Sequence, residues 1–552
     1  MEEYIMSLLD HKKALLLCAG IVVIGGGIFA VTAHSKSTKT AAAQHLNLYQ
    51  TATISSLDVS KITDNISGNA LSQVGEGLYR LDANSQAKNA LATKTTVSDG
   101  GHQYTINLRH DGKWSNGEPV TAQDFVYSWE RTLNPKSKSE FTYKFANIKN
   151  ATAIAAGKKS PSTLGVKAVG KYQLKVTLSQ PASYFKKMMA DTTYYPLNEK
   201  AVNKYGSKYG SSAKTTVYNG PFTLTNWSGT SDNWTLKKNA NYAEKKNVKL
   251  QSISYKVIKD STTAYNLYQS KKLDQVTLSG EQTTQNKNNP DLKSLAAGRI
   301  GFIQYNEHNK VAANQDLRTA ISLAINRQQL ASKVLKNGSL PAKTFGVKDM
   351  MKNPKTGADF TADAYTKGTV DTDPAQAKTL YQRTLKQLGQ KSVTLTITCG
   401  NDDASQNIAE FVQSAITSKL GAKVEVRAMP FPSMLSNVSK GNFQLNLTSW
   451  GMDFADPIQS LQILQSTSNS NMGHYNSKTY DAALKAAEGT DALNKTARYQ
   501  DLVKAAQTAL KDQAVTPLYE GRTSTLVNPK VKGVVYNKFN GSADYQNAYV
   551  AN

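Results

Sequence analysis

The sequence predicts an α/β protein of more than one domain, and three observations carry that expectation. The chain has 552 residues, more than a single hydrophobic core supports. Short stretches in which apolar residues alternate as in strands are interleaved with stretches of helical spacing. Residues 393–447 then run strand, helix, strand and strand at the spacing of a βαβ unit with a parallel sheet.

Taken in order, residues 45–49 begin a first strand. Tyr104, Ile106 and Leu108 alternate with Thr105 and Asn107, as a half-buried strand requires. Thr121 and Asp124 stand where a capping box opens a helix, with Asp in place of the usual Glu or Gln. Phe125, Val126 and Trp129 share one face of that helix. Residues 316–335 predict one helix, on Leu317, Ala320, Ile321, Ala324 and Ile325, stopped by Gly338. Asp373 caps another, with Pro374 at its first position, Leu380, Tyr381, Leu385 and Leu388 inward, and Gly389 at its end. Residues 393–397 predict a strand and 406–420 a helix ending at Gly421. Residues 423–427 and 443–447 predict two more strands.

The net charge is +25, from 66 basic and 41 acidic residues. The lysines are scattered, and no arginine-rich arm, zinc-finger spacing or aromatic RNA-binding pattern accompanies them, so nucleic acid is not an expected partner. A surface facing anionic wall polymers or anionic lipid fits the charge. Cys18 and Cys399 are the two cysteines. Only Cys399 belongs to the body that follows the apolar N-terminus, so that body holds together through its cores and not through a disulfide. The seven histidines show no HxxxH spacing and no paired CxxC joins them, so no metal and no cofactor is expected. No GxSxG elbow, P-loop, HExxH or strand-following GxGxxG is present, which argues against an enzyme. Gly75-Glu76-Gly77 is only a turn-like pair.

Residues 14–33 carry no charge and follow Lys12 and Lys13. Their length suits a signal peptide or a spanning anchor. Glu2, Glu3 and Asp10 dilute the positive flank, and a start at Met6 removes both glutamates. Val31-Thr32-Ala33 offers a cleavage site after Ala33. Cys18 is a poor lipidation site, because Leu17 precedes it and only residues 14–17 of the apolar run lie before it. Residues 34–44 are expected to be a linker.

Residues 104–131 read YTINLRHDGKWSNGEPVTAQDFVYSWER. This run resembles that of the family 5 extracellular solute-binding proteins, in particular their oligopeptide-binding branch. The resemblance continues through Leu57-Asp58, Glu76-Gly77-Leu78-Tyr79, Asn219-Gly220-Pro221-Phe222, Leu317-Arg318-Thr319-Ala320 and Ala324-Ile325-Asn326-Arg327. It ends on Trp450-Gly451-Met452-Asp453-Phe454-Ala455-Asp456-Pro457 and Thr516-Pro517-Leu518-Tyr519. It implies a class II periplasmic-binding-protein fold of three domains with the ligand cleft between the first and the third. Domain I is discontinuous, at 45–76, 213–307 and 515–552. Domain II is 77–212, with Trp114, Phe125, Tyr127 and Trp129 in its core, and domain III is 308–514.

The resemblance also implies a non-enzymatic receptor that closes around oligopeptides and delivers them to the permease subunits of an ABC importer. Such a receptor reads an amine, a repeating backbone and a carboxylate. Asp453 matches the family position that meets the amine. Trp450 matches a cleft aromatic, and Ser449 and Gly451 supply main-chain groups beside it. Asp64 and Asn65 match the facing edge of the first domain, and Tyr519 is a further cleft candidate. Leu447 stands where the family has a basic residue, so no carboxylate partner is assigned. Anionic wall polymers complete the expected partners, and a monomer is expected. Two other readings stay open: a surface adhesion or scaffold protein with this fold, and a receptor for nickel, haem or a sugar.

Overall fold

The computed structural model describes residues 42–539 and 542–552. The expected leader or anchor, Cys18 and the expected linker up to residue 41 lie outside them. Among the described residues, three sheets set the architecture. The first places His45–Gln50 parallel to Ser252–Val257, followed by Asn233–Lys238 and Phe222–Thr225 in antiparallel order. Leu46, Leu48, Leu236 and Ile253 turn inward from it into one core. The second is antiparallel and orders Ala92–Ser98, Gln103–Leu108, Gln173–Thr177 and Val166–Ala168. Tyr104, Ile106 and Leu108 are buried and their neighbours half-buried, as the alternation predicts.

The third sheet joins distant parts of the chain. Its order is Gln275–Thr277, Val515–Val527, Leu292–Tyr305, Leu445–Gly451, Thr394–Gly400, Lys423–Met429. Two long strands, Leu292–Tyr305 and Val515–Val527, run antiparallel through its middle, and their register slips between Ala296 and Ile300. Only beyond that slip does the first of them pair with Leu445–Gly451, from Arg299 onward. An extra residue in one strand bends it and re-aims its side chains. Gly298 sits in the slip at φ +54°, and a Cβ there would lie 2.1 Å from the Phe539 carbonyl oxygen. A side chain is thus excluded both by backbone conformation and by space.

The βαβ unit forms as the spacing predicts. Thr394–Gly400 is parallel to Lys423–Met429 and to Leu445–Gly451. The intervening helix Asp403–Leu420 buries Ile408, Val412 and Ile416 at helical spacing, and Asp402 caps it by accepting from Ser405 N. The last strand reaches Gly451 and not 447, which places Ser449, Trp450 and Gly451 within it. The helix predicted over 316–335 is broken. Gln315–Ala324 ends at Ile325, and Arg327–Gln329 starts afresh with the Asn326 side chain accepting from Gln329 N. Arg327 is buried and donates to the carbonyls of Pro517, Ser322 and Val370 at 2.6, 3.0 and 2.8 Å. A buried guanidinium needs such acceptors, and the break delivers it to them. Apolar periodicity carries no sign of that demand.

Helix Ala122–Leu133 opens on the expected cap, Asp124 accepting from Thr121 N at 2.7 Å and from its hydroxyl at 3.0 Å. Its two faces serve different cores. Phe125 and Trp129, one turn apart, are fully buried in the core of the second sheet. Tyr127, expected beside them, packs instead against the core of the first sheet. Arg131, one turn further on that face, holds the buried Asp58 with two bonds of 2.7 Å. The helix therefore rivets the first two sheets together.

Candidate functional site

A cavity of about 570 Å³ opens between the helix Asn65–Val74, the turn Thr142–Phe145 and the third sheet. Its volume is in the range of ligand sites. Asp64, Asn65, Lys144, Arg299, Phe431 and Asp453 are among its lining residues.

Asp64 reaches it as a helix cap. Its carboxylate accepts from Ser67 N at 2.8 Å and from the hydroxyls of Ser55 and Ser67 at 2.5 and 2.7 Å. Burial opposes its charge, but these donors hold the carboxyl below its ordinary value. The Asp64 side chain is thus committed to capping the helix. Asn65 follows, exposed, and its side-chain amide makes no hydrogen bond among the described residues.

Asp453 lies on the other wall, two residues beyond the strand Leu445–Gly451. Its N–H donates to Gln459 Oε1 at 2.6 Å, and the Gln459 carbonyl accepts from the Trp450 indole at 2.8 Å. Gln459 thus fixes the loop to the strand. One carboxylate oxygen, Oδ2, meets Lys144 Nζ at 3.1 Å. Lys144 also meets Asp191 at 3.1 Å, and Asp191 accepts from Thr193 N at 2.8 Å. Burial pushes Asp453 up, against the pull of Lys144. It would raise Asp191 too, but Lys144 and Thr193 bring that carboxyl below its usual value. Burial works against the Lys144 charge, and the two carboxylates more than offset it. The Asp453 side chain keeps 41% of its surface open, and Oδ1 has no partner among the described residues.

Arg299 stands at the register slip, exposed, and donates to Ser449 Oγ at 2.9 Å. The other lining cations are spoken for: Arg80 by Glu76 and Asp544, Lys144 by Asp191 and Asp453. Among the described residues Arg299 makes no ion pair. Gly451 lies opposite it in the sheet register and is exposed. Leu445 and Asn446 pair on their outer side with Thr394–Gly400, and among the described residues the rest of that strand has no partner there. Residues 447–451 therefore present an open strand edge. Trp450 is half-buried against the core. Tyr519 packs against the core of the third sheet and covers Gly301, where a Cβ would meet its ring at 2.2 Å.

Lys144, Asp191, Arg299, Phe431 and Tyr143 were not singled out by sequence reasoning. Arg299 alone left a cue, as the one charge in the run Leu295 to Tyr305. Among the described residues, no group of three or more His, Cys, Asp or Glu is placed to hold a metal ion, and no helix is long and apolar enough to cross a membrane.

A cavity between the helix Asn65–Val74, the turn Thr142–Phe145 and the third sheet, with a part-free acid and an arginine that makes no ion pair among the described residues, suits a solute-binding protein. The chain belongs to the bacterial extracellular solute-binding proteins, family 5, whose model matches residues 86–472. It is 36% identical over 555 residues to the dipeptide-binding protein of Lactococcus lactis subsp. cremoris (strain MG1363), covering 98% of this chain and 100% of that one. Two solved structures share the fold. The Listeria monocytogenes OppA bound to peptide superposes with a TM-score of 0.76 at 35% identity, over 93% of this chain and 100% of that one. The substrate-binding domain of an oligopeptide ABC transporter from Bacillus anthracis str. Ames gives 0.77 at 36%, over 93% and 99%. The relatives are binding proteins, and the class II periplasmic-binding α/β fold expected from the sequence is the one they share.

Proposed function

We propose that this chain is an extracellular receptor that captures oligopeptides and presents them to the membrane permease of an ABC importer. The observation that carries the reading is the open edge at 447–451, ending two residues before a carboxylate oxygen with no partner among the described residues. A peptide laid along that edge as an added strand satisfies its backbone without regard to its side chains. Its amine then reaches Asp453 Oδ1, where a partly desolvated charge pair is strong. The Asp64–Asn65 main chain closes the far side, and Trp450, Ser449, Gly451 and Tyr519 support the strand. Arg299 is left as the donor for a carboxylate. The peptide-bound relative and the transporter named for its relative support the same reading.

The three-domain division belongs to this proposal, with the crossings between domains I and III at 307/308 and 514/515. So does location outside the membrane, with residues 1–33 as leader or anchor. The charge of +25 suits an anionic envelope. The test is to purify the full chain, identify co-purifying molecules by mass spectrometry and titrate a mixed peptide pool by thermal shift. Ligand at 100 times its Kd adds about 2.7 kcal/mol by mass action. If no peptide co-purifies and no pool raises the melting temperature, the reading fails.

A further inference from the structure

We infer that the cleft selects peptides whose first residue has a bulky apolar side chain, and that Phe431 and Tyr143 make the selection. This rests on the peptide-receptor reading.

Large aromatic side chains are normally covered. Phe431 is 61% exposed and Tyr143 64% exposed, yet both line the cavity that holds Asp453. They come from different parts of the chain, Phe431 from the start of helix Phe431–Ser439 and Tyr143 from the turn Thr142–Phe145. Neither is loosely mounted. Met434 and Val438 anchor the helix in a small core with Phe443, and Leu435, one turn from Phe431, extends its apolar face at 50% exposure. Tyr143 sits edge-on to Phe141 with ring centres 6.2 Å apart, and the next residue, Lys144, is the one that holds Asp453. The Lys144 ammonium also lies 4.9 Å from the centre of the Phe141 ring.

Both rings thus line the same cavity as the carboxylate to which the amine is assigned. The side chain nearest a peptide amine is that of its first residue. An apolar group there covers both rings and gains by leaving water. A small polar one cannot cover the rings and gains nothing there, and selectivity follows from that difference. Covering most of one side chain corresponds to about tenfold in affinity.

Isothermal titration of the full chain with two pentapeptides, Phe-Ala-Ala-Ala-Ala and Ser-Ala-Ala-Ala-Ala, tests this. Wild type is expected to bind the first about tenfold more tightly. The double variant Phe431→Ser, Tyr143→Ser, whose melting temperature confirms that these exposed sites leave the fold intact, is expected to bind both within about twofold. Equal affinities in wild type, or a preference that survives in the double variant, overturn the inference while leaving the receptor reading in place. Failure of either peptide, and of the mixed pool, to bind at all removes both. If sedimentation shows a dimer that Phe431→Ser dissociates with the preference unchanged, the rings serve a contact between copies and the inference falls.

Discussion

Asp453 and Asp456 stand three residues apart in one loop and meet opposite surroundings. Asp456 is 2% exposed, and both its oxygens are taken by Arg498 at 2.8 and 2.9 Å, with Ile458 N adding a third bond. Asp453 opens on the cleft with one oxygen on Lys144 and the other unused. The first end of the loop leaves a carboxylate oxygen unpaired among the described residues, and the second leaves none. What separates them is whether the protein itself completes the hydrogen bonds of the charge.

The largest way to break this comparison is Asp456→Asn, which leaves the buried Arg498 without its counter-charge. A loss of about 3–5 kcal/mol in urea unfolding is expected, and a loss near zero would make the two acids alike. Asp453→Asn comes next. It should leave stability nearly unchanged, because Lys144 keeps Asp191, but lower the affinity of amine-bearing peptides roughly 10–100-fold by calorimetry. N-acetylated peptides should be spared, and equal loss for both would remove Asp453 from the amine.

Glu520 sharpens the contrast as a buried acid with no paired cation among the described residues. Burial raises it from its ordinary 4.5 to about 7, with the Lys348 N–H at 3.1 Å offsetting this only in part. A carboxyl raised on folding binds its proton more tightly in the folded state. Stability from this group therefore falls as pH rises from 4.5 to about 7 and stays lost above. Glu520→Gln should flatten that part of the melting-temperature profile, and an unchanged profile would show that the group does not titrate there. The smallest effect is local. Asp124→Ala should remove the helix cap for about 1 kcal/mol in the same urea assay, well below the Asp456 loss.

The parts of the fold legible in the sequence are those decided within a few residues. The Asp373-Pro374 start and Gly389 end of helix Pro374–Leu388 are as predicted, with Gly389 in the left-handed region at φ +66°. The Thr121–Asp124 cap is equally local. The break at Ile325 was hidden because Arg327 is drawn to Pro517 and Val370, far away in the chain. Tyr127 was assigned to the wrong core because spacing shows that a face is apolar but not which sheet lies against it.

The candidate site divides in the same way. Asp453, Asp64 and their neighbours could be named because a long run of residues marks the family, and the family carries their positions with it. Lys144, Arg299 and Phe431 come from three segments more than a hundred residues apart, and no pattern within any one of them states that they meet. The sequence by itself determined the class of protein and much of the strand and helix succession, since those rest on local pattern and on one specific run. Only the tertiary structure decided which of two neighbouring aspartates keeps an oxygen unpaired, which lining arginine makes no ion pair among the described residues, and which aromatics stay uncovered. Each of these is a question of what remains unsatisfied after distant segments have packed, and only the packed chain contains the answer.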